Sequence, residues 1–436
     1  SGHNHNQTEH QSDDAVIAAR HWQRFGCRRF FSSFLGRRRR RFGGGFFSGS
    51  SREQLLYDGA NLARRGAVVV SVNHRLGPLG FLDLSRSGAT FAGSGNVGML
   101  DLVLALEWVR DAIAQFGGDR DRVTIFGQSG GGAKVSTLMA MPSARGLFHR
   151  ALVMSGSPES FKPQSAAFRV ADAIFDAANI ARNDAAALQR IDAASLIRAS
   201  TAMEERSRAE AKGPAPLTWQ PVLDGDALAH DWSAGSPPSA RDIPLIVGSV
   251  RDEFRDFNRA VAWADLDAAL RPRFSDQTDR LIGSMLSLVP DAAPGDLLAM
   301  ASALTWRQWA VNQAAAHSAS GASVHCYYYT HPSPLFGGVI GAPHGSDIAP
   351  FFDNVEQAPG LTGLRPAAYR LADLMSGALV AFAESGSPER KELRWPRFDP
   401  ARVSTMVFDA RPRMVDDPAG EARRIVAGIP AVAPFG

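Results

Sequence analysis

The chain has 436 residues, 45% of them hydrophobic, which is enough to bury a sizeable core and excludes wholesale disorder. Its two cysteines, Cys27 and Cys326, exclude a disulfide framework and any CxxC metal pair, and they read as free thiols. The formal charge of +3 is unevenly placed: residues 1–41 hold nine arginines against Glu9, Asp13 and Asp14, a balance of +6, which leaves −3 on residues 42–436 and makes the body of the chain a poor polyanion binder.

No run reaches the ~18 consecutive apolar residues of a membrane helix, so the chain reads as soluble, with the cytoplasm favoured over secretion. Residues 1–20 are polar and lack the apolar core of a leader peptide. Residues 1–41 open on a His/Asn/Gln stretch and close on Arg37–Arg41, with neither strand alternation nor a long helical period. They read as an unassigned basic, poorly ordered segment, and residues 42–436 as one domain.

From Phe42 onward the elements succeed one another in order. Gly43–Gly45 is a loop, and Ala67–Asn73 (AVVVSVN) is a continuous apolar run, as in a strand buried on both faces of a parallel sheet. Gly77–Gly80 reads as a turn. Met99–Phe116 has helical length and a broad apolar face, and Gly117-Gly118 stops it. Arg122–Phe126 reads as a buried strand, Gly130–Met141 as a helix ended by Pro142, and Ala151–Met154 as a third strand. Residues 160–240 are rich in Ala, Arg and Pro with helical patches, an insertion over the sheet. Ile243–Gly248 and Val324–Thr330 read as further strands, and Tyr369–Glu384 as a long amphipathic helix. Strands alternating with helices over this length indicate an α/β protein with a mostly parallel sheet.

The strongest chemical signal is Gly127-Gln128-Ser129-Gly130-Gly131, between a strand and a helix. A sharp strand-to-helix turn pushes the Ser129 hydroxyl above the sheet, and it crowds the backbone so that small residues are needed two positions to either side. The helix N-terminus beneath offers N–H groups to a developing anion. A serine hydroxyl needs a base and an oriented acid. Of the later histidines, His344 stands in a loop of turn formers, His325 lies inside an apolar strand and reads as a core residue, His317 belongs to an Ala-rich helix and His331 precedes a proline. For the acid, Arg251-Asp252-Glu253 follows the strand IPLIVGS, at the end where parallel strands face a crevice; from spacing alone Asp252 and Glu253 are equivalent candidates. Gly43-Gly44-Gly45 lets backbone N–H groups approach a ligand and suits an oxyanion hole.

With these motifs assembled, the text from Gly43 to the C-terminus resembles the type-B carboxylesterases, the α/β-hydrolase family that includes bacterial para-nitrobenzyl esterases and cholinesterases. The resemblance is carried by GGGFFSGSS (43–51), VVVSVNHRLGPLGFL (68–82), GNVGMLDLVLALEWV (95–109), FGGDRDRVTIFGQSGGG (116–132), GLFHRALVMSGSP (146–158), GSVRDEF (248–254), GAPHGSDIAPFF (341–352) and RWPRFDP (394–400). It implies an α/β-hydrolase fold, with a mostly parallel central sheet and a helical insertion. It implies Ser129 as the acylated nucleophile, His344 as base and Glu253 as acid, which breaks the tie with Asp252. It further implies oxyanion donors on Gly44, Gly45 and Gly130, and Ser155 as a serine behind the triad. No metal or organic cofactor is implied; the partner is a small-molecule ester, with no nucleic acid, and the oligomeric state stays open.

The front of the chain departs from this pattern. Where the family runs an apolar strand into its glycine loop, this chain has Arg37–Arg41, and five adjacent arginines cannot occupy a buried strand without partners. The N-terminal portion therefore reads as truncated or altered, through a basic tail or a reading-frame change. A catalytically impaired or non-catalytic cholinesterase-like binding protein is the alternative to an active esterase.

Overall fold

The computed structural model describes residues 15–20, 45–47, 49–51, 54–158, 160–210, 218–253 and 261–428. Cys27, Arg37–Arg41, Phe42, Gly43 and Gly44, on which part of the sequence reading falls, lie outside these. Eight strands form the main sheet: β1 (Ala15–Arg20), β2 (Ala67–Ser71), β3 (Thr124–Gln128), β4 (Arg150–Met154), β5 (Leu245–Val250), β6 (Val324–Tyr329), β7 (Ser404–Phe408) and β8 (Arg413–Asp416). Their spatial order is β8-β7-β6-β5-β4-β3-β1-β2. The run β3-β4-β5-β6-β7 is parallel throughout, while β8 pairs antiparallel with β7 and β1 antiparallel with both β2 and β3.

The five parallel strands β3 to β7 are buried on both faces, and the period of two sorts their side chains. Ile125, Val153, Val247 and Cys326 face one apolar cluster. Phe126, Leu152, Ile246 and Tyr327, one residue out of phase, face the other. On the first face pack α1 (Val97–Ala112), through Leu102, Leu106 and Val109, and α2 (Gly130–Ala140), through Val135 and Met139. The long helix α3 (Pro294–Ala319) joins them with Ala310 and Ala314. On the second face lies α4 (Pro366–Ser385), with Leu371, Met375, Leu379 and Phe382. The insertion is helical, as expected from its composition, over Gln164–Ala177, Ala185–Arg190 and Ala193–Glu210. The stretch Ala89–Phe116 is apolar and long enough by composition to cross a membrane, but Met99, Leu102, Leu106 and Val109 within it are already committed to the core.

Three local readings change. Ala67–Asn73, read as a strand buried on both faces of a parallel sheet, forms the edge strand β2, antiparallel to β1, with Ala67 its one buried residue. Gly77–Gly80, read as a turn, opens a short helix at Pro78–Phe81, because Pro78 at the first helical position supplies the φ a helix needs and lacks only an N–H that would be unpaired there anyway. The first 41 residues, read as holding no strand, supply β1. Its residue Ile17 lies between Val70 of β2 and Ile125 of β3 in the ladder. Six residues AVIAAR carry little local signal. Pairing with two strongly β-branched neighbours, and not local propensity, settles such a segment.

Trp395, fully buried, ties the far end of the sheet together: its ring stands edge-on to Phe408 (5.2 Å between centroids) and to Tyr327 (6.5 Å). Trp395→Ala is expected to destabilise the fold by about 3–5 kcal/mol, and Trp395→Phe by clearly less. Urea unfolding midpoints of the two variants against the wild type check this, and equal midpoints for Trp395→Ala and wild type would refute it.

Candidate active site

The carboxyl ends of β3, β4, β5 and β6 are neighbours, and the chemistry-bearing residues leave the sheet there. Ser129 follows β3 directly, with φ 58° and ψ −124°, a conformation L residues seldom adopt. The surroundings over-determine it. Ser129 N–H donates to Met154 O of β4 (2.8 Å), and Ser129 O accepts from Ala133 N–H (2.9 Å) to start α2. A Cβ on Gly127 would stand 2.4 Å from the carbonyl carbon of Gly131, so the elbow closes only because position 127 has no side chain. Ser129 is half-buried, at the N-terminus of an 11-residue helix.

Beyond β5 the chain reaches Glu253, whose side chain is fully buried. Glu253 Oε1 accepts Val250 N–H (3.1 Å), and Oε2 meets Nδ1 of His344. Burying a carboxylate is costly without such partners. Asp252, the other candidate acid, turns elsewhere: its Oδ2 accepts the N–H of Ala342, two residues ahead of His344. The ring of His344 is further bounded by Trp306 of α3, edge-on at 5.6 Å, and by Gln128 Nε2, 3.2 Å from His344 Nε2. With Nδ1–H directed at Glu253, Nε2 is the nitrogen that accepts, and the amide of Gln128 is its donor. Two of the other candidate histidines are engaged elsewhere. His317 is held between Ser236 Oγ (2.8 Å) and Ile243 O (2.7 Å), and His325 sits in the core with Nδ1 against Pro396 O (3.1 Å).

The described end of the glycine loop, Gly45 to Phe47, lies beside the same helix. Phe46 is buried edge-on to Phe81 (5.1 Å), its carbonyl accepts Gly77 N–H (2.8 Å), and Lys134 Nζ of α2 lies 5.5 Å from its ring centre. Gly45, just before it, is half-buried with φ +66°, and Gly130 is buried at the start of α2. Ser155 follows β4 with its N–H on Gly248 O (2.8 Å), and its buried Oγ has no hydrogen-bond partner among the described residues.

Gln128, Trp306 and Asp347 were not singled out by the sequence reading. Gln128 lies inside the elbow motif itself, so its position was legible though its contact was not. Trp306 comes from a helix about forty residues away in the chain, with no motif of its own. Asp347 is fully buried, and Tyr327 Oη donates to its Oδ2 (2.6 Å). Burial, with the charge of Glu253 added, pushes its carboxyl up to about 6 against the opposing effects of Tyr327 and His344. Among the described residues no cluster of His, Cys, Asp or Glu is placed to hold a metal ion.

Comparison with known proteins bears on the family and the fold. A family model described as the carboxylesterase family matches residues 42–424. A para-nitrobenzyl esterase of Bacillus subtilis is 33% identical over 387 residues, covering 85% of this chain and 75% of that protein. A phenmedipham hydrolase of Pseudarthrobacter oxydans is 32% identical, covering 79% and 70%. Among solved structures, a carboxylesterase of Geobacillus stearothermophilus superposes with a TM-score of 0.73 at 31% identity, covering 88% of this chain and 80% of that one.

The Asp347 carboxyl has a consequence for stability. Its folded-state value of about 6 lies above the ordinary 3.8, so the folded chain holds this proton more tightly. Its contribution to stability is complete below about pH 4 and is lost as pH rises through about 6. Asp347→Asn keeps an acceptor for Tyr327 and carries no charge. It is expected to be more stable than the wild type by roughly 1–3 kcal/mol above pH 6, and to lose that advantage near pH 4. Urea midpoints of both proteins from pH 4 to 8 test this; a difference that does not vary with pH would contradict it.

Proposed function

The chain belongs to the carboxylesterase family and is a carboxylic ester hydrolase, and on that premise we propose that it works through Ser129, His344 and Glu253 with an acyl-enzyme intermediate. The observation that carries the reading is the meeting of two strand ends at His344: Glu253, buried after β5, meets its Nδ1, and Gln128, the residue before the strained Ser129 at the end of β3, lies 3.2 Å from its Nε2.

The chemistry then runs as follows. Nε2 of His344 takes the Ser129 proton as Oγ attacks the ester carbonyl, and Glu253 holds the tautomer and stabilises the imidazolium. The tetrahedral oxyanion is received by N–H groups of Gly130 and Gly45; Gly44, the third donor implied by the sequence, lies outside the described residues. Collapse expels the alcohol, protonated by His344, and leaves the acyl group on Ser129. Water attacks that ester through the same base and the acid is released. For Ser129 to use Nε2, the amide of Gln128 must yield that nitrogen, so Gln128 holds the base in the accepting tautomer before substrate arrives. Ser155, just past β4 between the strands that carry nucleophile and acid, is the serine behind the triad in this reading. The substrate is a small ester.

Ser129→Ala is expected to remove turnover of an activated aryl ester, on the order of 10⁶ in kcat. Initial-rate kinetics check this, and a variant keeping a tenth of the activity would overturn the assignment. Glu253→Gln is expected to fall by roughly 10⁴ in kcat, since the amide favours the wrong imidazole tautomer. If instead Glu253→Gln turns over normally, the acid lies elsewhere.

A further inference from the structure

The carboxyl ends of β5 and β6 are joined beyond the sheet by a contact that the triad does not use. Asp252 donates its backbone N–H to Ala342 O (3.0 Å), and its Oδ2 accepts Ala342 N–H (2.7 Å). A parallel bridge pairs Asp252 with Pro343. The same Oδ2 accepts Nε of Arg251 (2.9 Å), and the Asp252 side chain is only 7% exposed. Gly341 makes room for this: a Cβ there would lie 2.0 Å from Oδ2, and its φ of +59° favours glycine in any case. Both backbone groups of Ala342 are thus committed to one residue.

Only Pro343 separates Ala342 from His344. Its ring fixes its own φ and confines the backbone of the residue before it to the extended region. Little torsional slack therefore remains between the tie at Ala342 and the imidazole. Consecutive residues beyond the strand divide the work: Glu253 meets the ring, and Asp252 meets the backbone that carries the ring.

We propose that Asp252 is a positioning residue for ester hydrolysis, clamping the backbone of the His344 loop to the strand end that bears the acid so that the imidazole meets Glu253 and Ser129 in one register. The proposal rests on the reading of His344 as the base. Its carboxylate acts as a hydrogen-bond acceptor for Ala342, and Arg251 neutralises its charge. Loss of the acceptor frees the loop to drift, and a displacement of about 1 Å at a reacting group costs on the order of 10²-fold in rate.

The test is steady-state hydrolysis of an activated aryl ester, with thermal midpoints, on the full chain. Asp252→Ala is expected to lower kcat about 10–100-fold with KM within about threefold of the wild type. Asp252→Asn, which keeps an acceptor and removes the charge, is expected to restore kcat to within about threefold. An Asp252→Ala variant with wild-type kcat overturns the proposal, and so does an Asp252→Asn variant as slow as Asp252→Ala, since the charge and not the acceptor would then be acting. Gly341→Ala crowds the same carboxylate while leaving it in the chain, and carries the test should Asp252→Ala not fold: a lowered kcat with KM retained supports the clamp, and an unchanged kcat overturns it. Ser129→Ala assayed alongside separates the two readings. Activity retained there removes the triad, whereas a dead Ser129→Ala beside a fully active Asp252→Ala removes the clamp alone.

Discussion

A carboxylate at zero exposure, Glu253, meets an imidazole nitrogen of His344 at the top of a parallel sheet, and the rest of the site is arranged around that contact. An isolated charge in such a place would cost several kcal/mol; one N–H from Val250 and one from His344 make it tenable. The contact joins residues 91 apart in the chain. It exists only if β5 and β6 are in register and both loops leave the sheet on the same side. Five parallel strands with both faces covered supply that register. Tyr327 shows the coupling: its ring packs against Phe351 and Phe408 in the core beneath the sheet, and its hydroxyl reaches up to the buried Asp347 beside the triad.

Strain at Ser129 is held by the same sheet. A left-handed serine costs on the order of 1–3 kcal/mol. The compensation is local and backbone-made: the Met154 carbonyl on one side, the first turn of α2 on the other, and the bare approach of Gly127 to Gly131. None of these depends on what substrate is bound. Ser129 is therefore pre-placed, and so is the helix N-terminus beneath it; in the proposed mechanism that is where a developing oxyanion gains most from donors that need not reorganise.

Much of this was legible in the chain because it is written locally. The strands 67–73, 122–126, 151–154, 243–248 and 324–330 announce themselves as apolar runs, and each is a strand of the sheet to within a few residues, though the first lies at its edge and is only partly buried. The elbow is legible because its sterics demand particular small residues at fixed offsets. His325 reads as a core histidine and is one. What the chain conceals is pairing at a distance. Spacing could not separate Asp252 from Glu253, because which of two adjacent carboxyls faces the ring depends on how the 341–344 loop docks. β1 has no local signature strong enough to stand out from its polar flanks; β2 and β3 define it. Trp306 reaches His344 only through the packing of α3 on the sheet, and no periodicity in Pro294–Ala319 marks that residue from its neighbours.

Between β6 and His344 the chain makes an excursion that closes on itself before it reaches the imidazole. Ser333 N–H donates to Gly341 O (2.7 Å), so residues 334–340 leave and return at one point. Inside the excursion Phe336 and Val339 are largely exposed, and Phe336 itself is left-handed, with φ 51°. A loop of that composition placed directly before His344 would leave the imidazole on an irregular backbone. Here the return point is Gly341, and the next residue, Ala342, is held at both backbone groups by Asp252. Residues 334–340 rejoin the chain ahead of that tie, so the partners of the Ala342 backbone come from Asp252 and not from the excursion. The backbone near the reacting groups is determined by hydrogen bonds between strand ends, and the side chains that approach from outside are free of that duty.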